Sequence, residues 1–225
     1  MSQFLNPVSI ISILIAVSIH EAAHGYIALR LGDPTAKYAG RVTLNPIAHL
    51  DLIGTLLFLF VGFGWAKPVP IDPHYFKHPK RDSAIVAAAG PASNLIIAFA
   101  AFSVLSLLIP GGGDGSLFAL LKTGDGASVV RVFLVQLCAS SVFINLALMA
   151  FNLLPIAPLD GSRVLHNFIP ARYEMQYEQI MEKGPFILLL LIVFESFLPV
   201  SILSAWVFGI ADTVLKGMEM VMSIF

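Results

Sequence analysis

The stretch VSIHEAAHGYIALRLG, residues 17–32, sets His20, Glu21 and His24 in an H-E-x-x-H pattern inside an otherwise apolar run. On a helix, residues four apart share one face about one turn apart. Both imidazoles then reach a single metal ion while Glu21, one position on, points at whatever else that metal binds. The chemistry such a pattern supports is zinc-assisted hydrolysis. The bland alternative makes His20 and His24 interfacial histidines near a helix end, with Glu21 paired to Arg30 or Lys37. Against it stands the cost of polar ionisable groups in an apolar segment, about 2.5 kcal/mol or more for a charged one near a bilayer centre. Chance alone would produce the motif in roughly one chain in two hundred of this make-up, so its meaning depends on context.

Outward from the motif, the apolar run extends from about Pro7 to Leu31, long enough for a hydrocarbon core that needs about 20 residues. Gly32, Asp33 and Pro34 stop it. Residues 1–15 lack the basic n-region and small-residue cleavage site of a signal peptide, so this first span is expected to be retained. The whole chain shares its character. Of 225 residues, 57% are hydrophobic and only 12% charged, with a mean hydropathy of +0.86, whereas soluble domains carry about 25% charged residues. A multi-pass membrane protein is predicted, one transmembrane domain over residues 1–225 with no room for a sizeable soluble one beside it. A net charge of −1 offers no basic surface and excludes nucleic acid as a partner. The lone Cys138 can form no intrachain disulfide and reads as a small buried apolar residue.

After the first span, Tyr38 to Leu44 places β-branched and aromatic residues between turn formers and predicts a short strand. Leu52 to Trp65 is too short and Gly-rich to span, which favours a re-entrant or interfacial segment, and the Pro-rich run from Lys67 to Pro79 reads as an extended loop. A second span, about Ser83 to Ile109, opens on AAAGPASN, whose small residues allow close approach of another helix. Asn94 falls inside it and is expected to be a structural polar group with an interhelical hydrogen bond. It ends at Pro110, before the turn GGGDG. A third span, about Ser128 to Leu154, runs into NLLPIAPLDG, residues 152–161, where Pro155 and Pro158 break the helix although the surroundings stay apolar. Irregular backbone at membrane depth is tolerated only where protein buries it or a wet cavity receives it. Asp160 is therefore expected at an internal site; the alternative is an N-cap for the helix that holds Arg163. Residues Arg163 to Lys183 read as a solvated connection. A fourth segment begins near Gly184 and runs to Pro199, with Glu195 at an interface, and Ser201 to Phe225 is a further span or an amphipathic surface helix. Trp65 and Trp206 suit interface anchoring.

Lys and Arg are absent before Arg30, whereas Arg30, Lys37, Arg41, Lys67, Lys77, Lys80 and Arg81 precede the second span. The stretch from Pro110 to Ala127 holds only Lys122, and Arg163, Arg172 and Lys183 follow the third span. The positive-inside rule then puts the first and third connections in the cytoplasm and the motif in the cell membrane toward its cytoplasmic face. Catalytic zinc usually takes three protein ligands and keeps one position open. His20 and His24 supply two, and Asp160 is the best third because its broken helix enters from the same side. Such a metal lowers the pKa of its water to around 7, and Glu21 serves as the general base. Asn152 is a weaker candidate for substrate binding or for the oxyanion. His49, Asp51, His74 and His78 form an alternative, second metal cluster.

The combination of HEAAHGYIALRLGD, GPASN and NLLPIAPLDG resembles the site-2 protease family of intramembrane zinc metalloproteases. It is most similar to the small prokaryotic subgroup, which also has segments like GRVTLNPIAHLDLIGT and FGWAKPVP. The similarity spans roughly residues 10 to 200. It implies zinc ligands at His20, His24 and Asp160, a catalytic glutamate at Glu21, and substrates that are transmembrane helices of membrane proteins, unwound locally before cleavage. Larger members carry additional spans and a soluble peptide-binding domain, whereas this chain opens on the motif-bearing helix. The fold expected is an all-α polytopic membrane protein in the lipid bilayer, with four to six membrane segments and a short β element or re-entrant segment after the first helix. The competing functions are a metal transporter or a non-catalytic scaffold with the same ligands. Oligomeric state, substrate identity and trigger are not encoded in any motif here.

Overall fold

Helix α1 (Pro7–Arg30) starts where the Asn6 side chain accepts the Val8 N–H at 3.0 Å and Pro7 takes a position that needs no N–H donor. The computed structural model describes residues 6–61, 64–109, 126–197 and 201–223, and among these the regular structure is entirely helical. The GGGDG turn, the stretch around Lys122 and Pro199 lie outside the described residues. Along α1 the residues Val8, Ser12, Ala16, His20, His24 and Ala28, spaced by four, are all buried. Such a row forms one ridge, and its small members let neighbouring helices approach closely enough to enclose the two histidines.

Two long helices pack on that ridge: α4 (Pro79–Leu108) antiparallel to α1, and α5 (Gly126–Asn152) parallel to it. The directions follow from the contacts, since His24 meets Val86 and Ala16 meets Asn94, while Ser12 meets Ser141 and Asn145 meets Asn94 beside Ala16. Helices α1, α4 and the Val129–Asn152 part of α5 are long and apolar enough to cross a membrane. Their outward faces carry large bare apolar side chains, with Ile96 70% and Leu107 76% exposed. Monomeric soluble proteins rarely leave such surface to water, so lipid is its natural cover.

Between α1 and α4 the expected strand at Tyr38 to Leu44 does not form. Thr35–Tyr38 is instead a single helical turn, α2, and the following residues are turns and bends. The reason is local: Asp33, fully buried, accepts the Thr35 N–H at 2.9 Å and the Asp72 N–H at 2.8 Å, which starts a turn and ties it to the returning chain. The β-type pairing that exists lies further on, an isolated antiparallel bridge of Leu50 with Ala66. Between these partners stands α3 (Leu52–Val61), about 15 Å long at 1.5 Å per residue, so the chain makes an excursion and comes back beside its point of departure. Asp51 begins that helix by accepting the Gly54 N–H at 2.8 Å.

Beyond α5 come α6 (Asp160–His166), α7 (Glu174–Glu182), α8 (Gly184–Phe194) and α9 (Ile202–Met222). Helix α6 packs chiefly against α4. Lys80 joins α4 to α7 by reaching Glu174 at 3.0 Å, and this hydrogen bond holds the Glu174 carboxyl below the usual carboxylate range. The fourth segment expected from Gly184 is shorter than a span: α8 has 11 residues, and its Leu188 packs with Leu154, Leu159 and Leu203 around the broken segment. Helix α9 runs back along α5 and α4, with Met218 buried against Ala98, Val142, Leu146 and Met149. Glu195, expected at an interface, also serves as a cap, since its two carboxylate oxygens accept the N–H groups of Leu203 and Ser204 at 3.1 and 2.8 Å, orphan donors of α9. Trp206 likewise does more than anchor at an interface: its indole N–H donates to the Ala150 carbonyl at 2.9 Å.

Candidate metal centre

His20 and His24 stand one turn apart on α1 with their Nε2 atoms 3.0 Å from each other. Both face Asp160 Oδ2, at 3.2 Å from His20 and 3.4 Å from His24. Each ring is oriented from behind. His24 Nδ1 lies 2.7 Å from the Val86 carbonyl, an acceptor that compels Nδ1 to be the protonated nitrogen. His20 Nδ1 lies 2.6 Å from the side-chain oxygen of Asn94 and donates to it in the same way. The two Nε2 lone pairs and a carboxylate oxygen are thus turned toward one another. Asp160 Oδ2 is buried and has no hydrogen-bond partner among the described residues.

Three acceptor atoms within 3.0 to 3.4 Å repel one another unless a cation lies between them. Zinc bonds of about 2.05 Å in a tetrahedron give ligand-to-ligand edges of about 3.3 Å, close to the three separations observed. The donor set and its spacing therefore fit Zn²⁺, with one vertex left for water or substrate. Among the described residues this is also the sole group of three or more His, Cys, Asp or Glu side chains able to hold a metal.

The third candidate ligand depends on the break in α5. Pro155 and Pro158 lack backbone N–H groups, so the helix stops at Asn152 and a turn carries the chain to Asp160, the first residue of α6. Asp160 is not the N-cap; Leu159 holds that position. Gly161 follows because α6 starts against the broken end: a Cβ there would sit 2.2 Å from the Leu153 carbonyl oxygen. Glu21 is half-buried, and its Oε2 accepts the Val69 N–H at 3.1 Å rather than pairing with Arg30 or Lys37. The segment bearing Val69 is held before it at Lys67, whose N–H donates to the His49 carbonyl at 2.9 Å and whose carbonyl accepts from Arg41, and after it at Asp72, whose N–H donates to Asp33 at 2.8 Å.

The remaining sequence candidates separate. Asn94 is fully buried and bridges helices, accepting from His20 and donating to Asn145 Oδ1 at 2.8 Å. Asn152 ends α5 with its amide donated to the Leu148 carbonyl at 3.0 Å. The second metal cluster does not assemble. His49 is fully buried with Nε2 2.8 Å from the Thr43 carbonyl, Asp51 caps α3, exposed His74 pairs with Asp72, and the His78 N–H meets Asp82. Their short loops attach each residue to a nearer partner first. Three contributors escaped the sequence reading: Val69, Asn145 and Gly90. A Cβ on Gly90 would lie 2.5 Å from His20 Cε1 and Nε2 and from His24 Nε2, so this glycine is the floor of the centre. The motif GPASN carried the signal, four residues from Asn94, without saying what approached it.

The model of peptidase family M50 matches residues 8–193. Among curated proteins, "Putative zinc metalloprotease YwhC" of Bacillus subtilis (strain 168) is 40% identical over 189 residues, covering 84% of this chain and 81% of its own length. "Putative zinc metalloprotease Rip2" of Mycobacterium tuberculosis (strain ATCC 25618 / H37Rv) is 26% identical over 201 residues, 88% of this chain and 68% of its own length. No solved structure matches. With two histidines on a helix that can cross a membrane, an aspartate brought to them by the short helix α6, and a family match over most of its length, the chain belongs to peptidase family M50 and is a zinc metalloprotease.

Proposed function

We propose that this protein is an intramembrane endopeptidase that hydrolyses peptide bonds in the transmembrane helices of membrane-protein substrates, with its centre toward the cytoplasmic face. One observation carries the reading: the three ligand atoms converge on helices whose outward faces suit lipid, with His20 ten residues, about 15 Å, from the end of α1. A substrate peptide bond must therefore come to that depth. The excess of Lys and Arg in the α1–α4 connection supports the cytoplasmic side. Helix α9, 21 residues long and packed along α5, is a more polar candidate for a further span than α1, α4 and α5: it carries Asp212, Lys216 and Glu219, of which Asp212 and Lys216 form an i,i+4 pair at 2.6 Å. With α8 added, the count of membrane segments is four or five, and α3 is re-entrant.

His20, His24 and Asp160 hold the zinc, which when bound polarises the scissile carbonyl and makes water acidic enough to yield hydroxide near neutral pH. Glu21 takes the proton from the attacking water and returns it to the leaving amine. The Val69 N–H, fixed on Glu21, orients that carboxylate for the transfer. Asn152, at the end of α5 with its amide on the Leu148 carbonyl, is the weaker candidate for binding substrate or the oxygen that gains charge, a role that needs its amide released from that carbonyl. The substrate helix has to open first, because its carbonyls are otherwise engaged in its own hydrogen bonds.

The test is Glu21→Gln in purified protein reconstituted with a membrane-embedded single-span substrate. Zinc content should stay near stoichiometric while cleavage falls by about 10²- to 10⁴-fold, the usual weight of a general base. Full cleavage by this variant would refute the mechanism.

A further inference from the structure

The hydrogen bonds behind His20 continue in one direction through three helices. Asn94 Nδ2 donates to Asn145 Oδ1 at 2.8 Å and points as well at the Ala16 carbonyl, 3.5 Å away. Asn145 Nδ2 in turn donates to the Ser141 carbonyl at 2.8 Å. Asn94 and Asn145 are both fully buried, and the Ser141 hydroxyl meets Ser12 on α1 at 3.3 Å. A backbone carbonyl accepts only. The Ser141 carbonyl therefore decides which end of the Asn145 amide faces it, and the Asn145 oxygen is left to face Asn94. That oxygen decides the orientation of Asn94 in the same way, so the Asn94 oxygen faces His20 and takes a proton from Nδ1.

We propose that Asn145, which touches neither metal nor substrate, is a positioning residue for the zinc chemistry: through Asn94 it holds His20 as the Nδ1–H tautomer, leaving Nε2 free as a ligand. The inference rests on the metal reading of His20, His24 and Asp160. It also explains why two histidines of one motif are served differently. His24 faces the Val86 carbonyl, which cannot turn over, whereas His20 faces a side-chain amide, which can. An amide without a fixed neighbour offers either a donor or an acceptor to the ring, and only the acceptor suits a metal ligand.

The experiment compares Asn145→Leu and Asn145→Asp with the parent protein in detergent micelles. The His20 tautomer is read in the zinc-free state by nitrogen-15 shifts of the ring, and zinc affinity by competition with a chromophoric chelator. Leu is the gentler change for a membrane helix, yet it removes the near acceptor and leaves Asn94 only the Ala16 carbonyl at 3.5 Å, longer than an ordinary hydrogen bond. It should give a mixture of Nδ1–H and Nε2–H forms and about tenfold weaker zinc binding. Asp is the harsher change for a membrane helix, yet in its neutral form it donates its O–H to the Ser141 carbonyl while its other oxygen accepts from Asn94, and it should keep the Nδ1–H form. A merely structural role predicts the opposite ranking. An Asn145→Leu protein with the unmixed Nδ1–H form and parental zinc affinity would overturn the proposal. A parent protein that binds no zinc would overturn the metal reading itself and this inference with it, and that result is told apart by the parent's own titration.

Discussion

At the scale of single residues, the centre is set as much by what Gly90 lacks as by what the ligands supply. The two imidazoles occupy the volume that a methyl group on residue 90 would need, at 2.5 Å where ordinary contacts begin near 3.4 Å. Neither ring can retreat freely, because Nδ1 of each is fixed, to Asn94 and to the Val86 carbonyl. Gly90→Ala must therefore push Nε2 atoms off their positions by roughly 0.5 to 0.9 Å, at or beyond the roughly 0.5 Å tolerance of a working site. The expected outcome is loss of near-stoichiometric zinc after dialysis, with helicity by circular dichroism unchanged. An alanine variant that retains zinc would show that the floor can yield. His20, Glu21, His24 and Asp160 are legible in the sequence because a helical spacing or a helix-breaking proline announces each. Gly90, Val69 and Asn145 are not, because their roles come from elements 48 to 70 residues away in the chain or more, and only tertiary contact reveals them.

At the scale of elements, the break after α5 is what brings Asp160, at the start of α6, to the two histidines, and its loose ends are met individually. The Leu154 N–H turns to the Phe151 carbonyl, three residues back, rather than to Ala150. Trp206, from the start of α9, donates to the Ala150 carbonyl instead. An indole has one N–H to give, so Trp206→Phe keeps most of the packing and removes the donor. A buried carbonyl left unmet costs about 1 to 3 kcal/mol, and the expected result is a lower thermal midpoint with weaker zinc retention. A variant as stable as the parent would mean that the carbonyl finds another partner. The same scale explains where sequence patterning and structure part. Tyr38 to Leu44 has the composition of a strand, but it follows a turn pinned by Asp33 and lacks a long partner strand to pair with, so it stays irregular. Helix α8 has the apolarity of a span but ends at Phe194, where Glu195 is needed to cap α9.

At the scale of the whole molecule, zinc held by the proposed ligands His20, His24 and Asp160 would join parts that the packing holds by separate means. Helices α1, α4 and α5 form one packed unit, and α9 adds its buried Met218 to the α4–α5 side. Helix α6, carrying Asp160, rests chiefly on α4, while the other two ligands belong to α1. Without the cation, Asp160 and the two ring nitrogens face one another as acceptors, so the α1–α6 junction is where the fold gains most from zinc. A ligand bound only by the folded state stabilises it by about 2.7 kcal/mol at a hundred times its dissociation constant. Chelation of the purified protein should therefore lower the thermal midpoint and raise amide exchange in residues 152–166, while the α4–α5–α9 contact around Met149 and Met218 keeps its protection. The asymmetry is the informative part, because a general detergent effect would loosen both regions together. Uniform loss of protection across both regions, or no change in residues 152–166, would show that α6 is held by α4 alone and that zinc serves chemistry without binding the fold together.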